Sequence, residues 1–127
     1  MSVAYIDTHI AVFLYAGAVE ELSMEAKRQI EANDLLLSPM AFLELEYLFQ
    51  RRRTSVGAVA LYAALNASFG VALCQFPFPA VALASLKVIW TNNPFDRLIV
   101  AQASANHEAM LITRDREIRQ RYPRAVW

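Results

Sequence analysis

Short apolar runs alternate with longer segments of helical pattern along this chain, and no other feature restricts the fold as strongly. Short apolar runs separated by helices are typical of buried strands in a parallel sheet that has helices on both faces. The strand candidates are residues 3–6, 35–37, 71–75 and 110–113. We therefore predict a single α/β domain over residues 1–127, a three-layer α/β/α sandwich with a mainly parallel central sheet.

Helix starts are marked by capping residues at several positions. Ser23 is typical of an N-cap, and so are Ser38 and Asn93, each of the latter two being followed by a proline at the first helical position. The predicted helices cover residues 8–15, 24–32, 39 to about 53, 55 to about 67, 79 to about 89, 94 to about 107, and 115–121.

The composition excludes several classes of protein. With 57% hydrophobic and 19% charged residues, the chain is too apolar to be disordered, and it is expected to cover part of its surface with a partner. No apolar stretch reaches the length of a membrane-spanning helix, and no basic segment precedes an apolar run at the N-terminus. Cys74 is the single cysteine, so an internal disulfide is excluded. We expect a cytoplasmic protein without a membrane segment.

The charge distribution leaves the question of a nucleic-acid partner open. The formal net charge is zero, which offers no direct support for nucleic-acid binding. Arginines nevertheless cluster at residues 51–53 and again within residues 114–124. Such clusters are compatible with phosphate contacts, but solvated helix faces explain each of them equally well.

Two aspartates follow predicted strands directly. Asp7 comes after residues 3–6 and Asp115 shortly after residues 110–113. Either aspartate could simply cap the helix that follows it. However, ligand sites in parallel sheets lie at the carboxyl ends of the strands, which is where both residues are expected.

Two further acids lie on helix faces that should be buried. Glu44 is surrounded at helical spacing by apolar residues, whereas Glu46 is expected to be solvated. Asp96 lies in a first helical turn, where a negative charge interacts favourably with the helix dipole, and this alone could explain it. However, it shares a helix face with Ile99 and Val100, which should be buried. An unpaired carboxylate on an apolar face costs several kcal/mol by order of magnitude, so a compensating cation is expected.

Together, these acids predict a metal site. Oxygen ligands suit Mg²⁺ or Mn²⁺ better than zinc or copper, and a cation would neutralise the mutual repulsion of clustered carboxylates. One or two such ions could support hydrolysis of a phosphodiester. The four candidate catalytic and metal-binding residues are Asp7, Glu44, Asp96 and Asp115. His9, two residues after Asp7, could contact a ligand rather than the metal.

At these residues the chain resembles the PIN-domain family, specifically VapC-type toxins of toxin–antitoxin pairs. The matching segments, in the family's order, are VAYIDT (residues 3–8), LSP (37–39) with FLEL (42–45), WTNNPFDRLIVAQA (90–103) and LITRDREI (111–118). The segment Pro-Phe-Asp-Arg-Leu-Ile, residues 94–99, is the most specific of them.

The resemblance implies a PIN-like sandwich and Mg²⁺- or Mn²⁺-dependent endoribonuclease activity on RNA. It also implies a homodimer and a VapB-like antitoxin that blocks the site. Asp7, Glu44, Asp96 and Asp115 fill the family's acidic quartet, and Thr113 is expected to assist as a neighbouring hydroxyl. The chain departs from the family at Asn93, where many relatives have an aspartate.

Two other readings compete with a nuclease. A catalytically weak PIN-like module would bind RNA or a partner without cleaving, and Asn93 is its sequence support. A receiver-like phosphotransfer domain also gathers aspartates at strand ends. Such a domain needs a lysine opposite the acids, and neither Lys27 nor Lys87 directly follows a predicted strand.

Overall fold

The computed structural model describes residues 2–127, and its centre is a five-stranded sheet in which every strand pair is parallel. The strands are β1 (Val3–Ile6), β2 (Asp34–Leu37), β3 (Ala72–Leu73), β4 (Met110–Ile112) and β5 (Ala125–Val126). Their order in the sheet is β3-β2-β1-β4-β5.

Helices connect and cover the strands, so that the predicted α/β/α sandwich is confirmed. The helices are α1 (Thr8–Ala16), α2 (Met24–Ala32), α3 (Pro39–Gln50), α4 (Ala58–Phe69), α5 (Phe78–Ser85), α6 (Pro94–Ala105) and α7 (Arg116–Arg121), with a short 3-10 helix at Val19–Glu21. Among the helices, α5 packs against α6, α3 against both α4 and α6, and α1 against both α3 and α4.

The three predicted N-caps are confirmed. The side chain of Ser23 accepts a hydrogen bond from Ala26 N at 3.0 Å, and Ser38 accepts one from Met40 N at 3.1 Å. Asn93 Oδ1 accepts two, from Phe95 N at 2.9 Å and Asp96 N at 3.2 Å. These bonds satisfy donors that have no partner within the helix, which is why the local sequence predicts them correctly.

Two predicted helix ends were wrong, and one strand was missed. Helix α3 ends at Gln50 rather than near residue 53, because Arg52 adopts φ 58° and Arg53 N bonds back to Leu48 O, a Schellman-type ending. Helix α5 ends at Ser85 rather than near residue 89, and the Ser85 carbonyl instead accepts Arg97 Nε at 2.8 Å. Strand β5 was not predicted, since two residues are too few to form a recognisable pattern.

Glu46 was expected to be solvated, and the structure contradicts this. Its Oε1 accepts a hydrogen bond from Ala58 N at 3.0 Å. Glu46, twelve residues earlier on α3, therefore caps α4. Helix α4 accordingly begins at Ala58, not at Ser55, with Gly57 as its N-cap. A Cβ at Gly57 would lie 3.0 Å from the same carboxylate oxygen, so glycine leaves room for this contact.

The strand order places a topological switch point between β1 and β4. From β1 the chain builds outward through β2 and β3, then returns to add β4 on the other side of β1. Ile6 pairs with Ile112, and Asp7 N donates to Ile112 O at 3.0 Å. The two strands therefore end side by side, and ligands of open parallel sheets bind in the crevice at such a point.

A buried polar network joins the sheet to α3 and α6. Gln102, 3% exposed, donates to Cys74 Sγ at 3.3 Å and accepts from the Ser38 hydroxyl at 3.1 Å. The hydroxyl of Tyr5 lies 3.0 Å from the same sulfur. Because Ser38 caps α3 and Gln102 lies on α6, this network sets the position of the two helices that carry Glu44 and Asp96.

The core consists of apolar side chains from the sheet and the inner helix faces. The largest fully buried members include Tyr5, Ile6, Leu37, Leu111 and Ile112. No helix within residues 2–127 combines the length and the apolar character that a membrane crossing requires.

Candidate active site

Asp7 lies at the carboxyl end of β1 and is held by two hydrogen bonds. Its Oδ2 accepts from the Thr113 hydroxyl at 2.6 Å and its Oδ1 from Thr8 N at 2.8 Å. The carboxylate is only 5% exposed, and burial raises its pKa despite the opposing effect of these bonds. The predicted assistance of Thr113 as a neighbouring hydroxyl therefore corresponds to a direct contact with Asp7.

Thr113 also connects Asp7 to Asp115. Thr113 Oγ1 accepts from Asp115 N at 3.0 Å, and Asp115 Oδ1 in turn accepts from Ile118 N at 2.9 Å as the N-cap of α7. Asp115 is thus both a cap and a neighbour of Asp7, whose pKa its negative charge raises. The capping interpretation of Asp115 is therefore confirmed, and its role as a metal ligand stays a prediction.

Glu44 reaches the same end of the sheet through Thr8. The Thr8 hydroxyl, fully buried at the start of α1, donates to Glu44 Oε1 at 2.5 Å. Burial raises the pKa of Glu44, the Thr8 hydrogen bond lowers it, and the charge of Asp7 raises it again. A glutamate of α3 and an aspartate of β1 are therefore connected by adjacent groups of one residue, the backbone and the hydroxyl of Thr8.

Asp96, in the first turn of α6, also has a raised pKa. Burial, followed by the repulsion of nearby carboxylates, raises the pKa of Asp96 from 3.8 to about 7. The carboxylates that contribute are Asp7, Asp115, Glu44 and Glu117. All four predicted acids are consequently close enough to act on one another.

The four carboxylates share a region without forming a closed cage. Among residues 2–127, no three His, Cys, Asp or Glu side chains are arranged to hold one ion together. Two of the carboxylates are instead engaged by threonine hydroxyls, and none of the four takes part in the two ion pairs of this part of the chain, Arg28 with Glu25 and Arg114 with Glu21.

The donor chemistry fits a hard divalent cation. All four side chains offer oxygen, their mutual repulsion is expressed in the raised pKa of Asp96, and Mg²⁺ retains several waters so that only some carboxylates need bind it directly. Asp7 and Asp115 also line a cleft of about 280 Å³ together with His9, Phe13 and Arg114. Asp115 is exposed in this cleft, whereas Asp7 is nearly buried at its wall.

Sequence reasoning missed two contributors to this site and placed a third only in an arginine cluster. Thr8 follows Asp7 in the matched segment, but nothing local indicated that its hydroxyl would reach Glu44, 36 residues away. Glu117 adds a fifth negative charge to the surroundings of Asp96, and its position two residues after Asp115 was the one signal that could have indicated it. Arg114, a member of the cluster within residues 114–124, lies on the cleft wall.

Comparisons with known proteins agree with this geometry. A search of curated proteins found no match. Among solved structures, a toxin–antitoxin complex from Klebsiella pneumoniae is similar, with 22% identity, a TM-score of 0.65, and coverage of 98% of this chain and 96% of that one. VapBC2 from Rickettsia felis, bound to a DNA fragment from its promoter, is similar at 16% identity and a TM-score of 0.58, with the same coverage. At these identities, the likeness concerns the fold.

The family is established by a different comparison. The model of the PIN domain matches residues 4–122, which is most of the chain and includes all four candidate acids. The resemblance that the sequence motifs suggested is thereby confirmed at the level of the family. With its parallel sheet and its acids gathered at the ends of β1 and β4, this chain belongs to the PIN-domain family.

Proposed function

We propose that this protein is a toxin ribonuclease, a Mg²⁺- or Mn²⁺-dependent endoribonuclease of the cytoplasm that hydrolyses RNA phosphodiester bonds and is neutralised by a cognate VapB-like antitoxin. The observation that carries the proposal is the group of four mutually repelling carboxylates at the switch point of the sheet, none of them in an ion pair within the described range. Membership of the PIN-domain family supports a nuclease, and the two toxin–antitoxin structures of similar fold support the toxin role.

In this proposal Asp7, Glu44, Asp96 and Asp115 hold the cation. A bound divalent ion would activate water and stabilise the leaving oxygen of the phosphodiester. The residues of the chain prepare the ligands: Thr113 orients Asp7, and Thr8 orients Glu44. The Thr8 hydroxyl engages only Oε1 of Glu44, whereas Asp7 accepts one hydrogen bond at each oxygen, and the remaining lone pairs of both carboxylates would serve the cation.

The competing proposal, a PIN-like module that binds without cleaving, depends on Asn93. In the structure Asn93 is exposed and caps α6, a role in which asparagine and aspartate are about equally effective. Asn93 is therefore accounted for as a helix cap, and the cleavage proposal keeps its four acids.

Cleavage of RNA by the purified protein tests the function directly. We expect single-stranded RNA to be cut when Mg²⁺ or Mn²⁺ is added, cutting to stop with a chelator, and DNA of the same sequence to remain intact. RNA that is bound but never cut, with either metal, would favour the binding module instead.

The antitoxin is proposed to occupy a groove with apolar walls. A groove of about 300 Å³ is lined by apolar side chains that include Leu14, Val19, Leu22 and Ile30. Leu14 follows Phe13 of the acidic cleft on α1, and Val19 lies in the same 3-10 helix as Glu21. An antitoxin segment could fill the groove with apolar side chains and place an arginine against the carboxylates, a favourable charge-assisted contact.

We further propose that two copies of the chain associate through the α5 region. Phe78, Leu83, Leu86 and Ile89 in or just after α5 are 60–79% exposed, an unusual amount of large apolar surface for one segment. The purified protein is expected to sediment as a dimer, and Leu83→Glu should shift it toward the monomer, because a charge would be buried without a partner. Val59→Glu, at a similarly exposed apolar residue of α4, is the matched control. A monomeric wild type at micromolar concentration would contradict the proposal.

A further inference from the structure

Arg114 lies on the wall of the acidic cleft without pairing with the acids. It directly precedes Asp115, yet its Nη1 donates to Glu21 at 3.2 Å and its guanidinium lies 5.9 Å from the centre of the Phe13 ring. Of the described residues that line the cleft, Arg114 alone carries a permanent positive charge. Glu21 and Phe13 therefore hold the Arg114 guanidinium beside Asp7 and Asp115 without an ion pair between Arg114 and either aspartate.

The held guanidinium keeps most of its binding capacity. Arginine has five N–H donors, and within residues 2–127 Arg114 uses one of them, for Glu21. Its side chain is 55% exposed. An arginine fork with unused donors, next to a metal-binding group of carboxylates, matches the geometry of a phosphate oxygen pair.

An aromatic pair, an exposed tyrosine on a partly buried phenylalanine, borders the other two carboxylates. Tyr47 lies one turn after Glu44 on α3, and Phe95 directly precedes Asp96 on α6. Their ring centres are 5.7 Å apart, and Arg51 lies 5.4 Å from the centre of the Tyr47 ring and donates to its hydroxyl. Tyr47 is 43% exposed, so one side of this aromatic pair is available to a ligand. Exposed aromatic rings combined with arginine are typical surfaces for stacking unpaired bases.

We propose that an RNA strand bound at the four carboxylates places a backbone phosphate on Arg114 and stacks an unpaired base on Tyr47. This strand path rests on the proposed function and assigns two residues outside the acidic group to substrate binding. Arg114 lines the cleft with Asp7 and Asp115, whereas Tyr47 lies one turn after Glu44 on α3, so the two contacts border different members of the acidic group.

The two contacts differ in their dependence on salt, which makes them separable. Loss of a phosphate contact weakens binding and lowers the slope of log affinity against log salt by about 0.7 for a single strand. Loss of a stacking contact weakens binding and leaves that slope unchanged, because no counterion is involved. A change that only disturbed the fold would also lower the melting temperature, which distinguishes it from the loss of either contact.

The first measurement is the affinity for a fluorescent single-stranded RNA at several salt concentrations, with each variant made in an Asp96→Asn background. The second is KM and kcat for RNA cleavage, with each variant made in the wild-type protein. We expect Arg114→Ala to weaken affinity and raise KM about tenfold with the reduced slope, with Arg114→Lys intermediate. Tyr47→Leu should weaken affinity about tenfold at an unchanged slope, and Tyr47→Phe should keep it, because the ring remains.

Matched controls exist for both positions. Arg28, also in an ion pair with a glutamate, and Phe69, 44% exposed, lie outside the residues invoked for the strand. Arg28→Ala and Phe69→Leu should bind RNA as the wild type does. Melting temperatures close to that of the wild type show that each variant is folded, and sedimentation shows whether Tyr47→Leu changes self-association instead.

The outcomes separate the strand path from the function itself. A wild type that cleaves RNA, with Arg114→Ala and Tyr47→Leu indistinguishable from it in affinity and salt slope, overturns the path alone. Loss of self-association without loss of RNA affinity in Tyr47→Leu also overturns it. A wild type that neither binds nor cleaves RNA with Mg²⁺ or Mn²⁺ overturns the proposed function and the path together.

Discussion

Glu44→Gln is expected to reduce RNA cleavage on the order of 100-fold or more while leaving the fold intact. The amide keeps the shape of the side chain and can still accept the hydrogen bond from Thr8, but it loses the negative charge that a divalent cation requires. Cleavage of a single-stranded RNA at saturating Mg²⁺, together with thermal melting of both proteins, measures the two parts of this expectation.

Glu46→Gln is the matched control for that experiment. Glu46 is two residues further along α3, also accepts a hydrogen bond, and caps α4 rather than facing the acids. The Glu46 variant should cleave RNA at the wild-type rate, since an amide oxygen also accepts from Ala58 N. Equal activity of Glu44→Gln and the wild type would remove Glu44 from the site.

The metal-free protein is expected to become less stable as the pH rises from about 4 to 7, and Asp96→Asn should remove a large part of this loss. The folded state holds the Asp96 proton up to a pKa of about 7, whereas the unfolded chain releases it near 3.8. Between these values the folded state binds more protons, so the free energy of unfolding falls as the pH increases. With an allowance for solvent screening, the loss due to Asp96 is roughly 2 kcal/mol.

Magnesium should reverse this trend at neutral pH. A cation that binds only the folded state raises its stability by mass action and displaces the proton from Asp96. The wild type is therefore expected to gain more thermal stability from Mg²⁺ than Asp96→Asn does, and the variant should be at least as stable as the wild type when metal is removed. Melting curves at pH 5 and pH 7, with and without Mg²⁺, measure both effects.

Asp34→Asn provides the control, because Asp34 is an exposed acid at the start of β2. Its melting temperature should follow that of the wild type at both pH values and with Mg²⁺. If Mg²⁺ shifts the melting temperature of the wild type and Asp96→Asn by the same amount, Asp96 is not part of the cation site.

Features that depend on a few neighbouring residues could be predicted from the sequence. The caps Ser23, Ser38 and Asn93 were correct because each acts on a backbone donor two or three residues ahead. Boundaries that depend on distant groups were not: Glu46 sets the start of α4, and Arg97 binds the last carbonyl of α5. A local pattern contains no information about a partner on another helix.

The sequence by itself determined the class of fold and the placement of acids after two strands and on two apolar helix faces. Only the tertiary structure decided that β1 and β4 are neighbours, which brings Thr113 to Asp7 across 106 residues. It also decided that α1 packs against α3, which brings Thr8 to Glu44 across 36 residues. The packing of α6 also brings Asp96 near the other carboxylates, and burial followed by their charges raises its pKa. The physical reason is that apolar periodicity reports which residues are buried, whereas strand pairing and helix packing determine which buried residues meet.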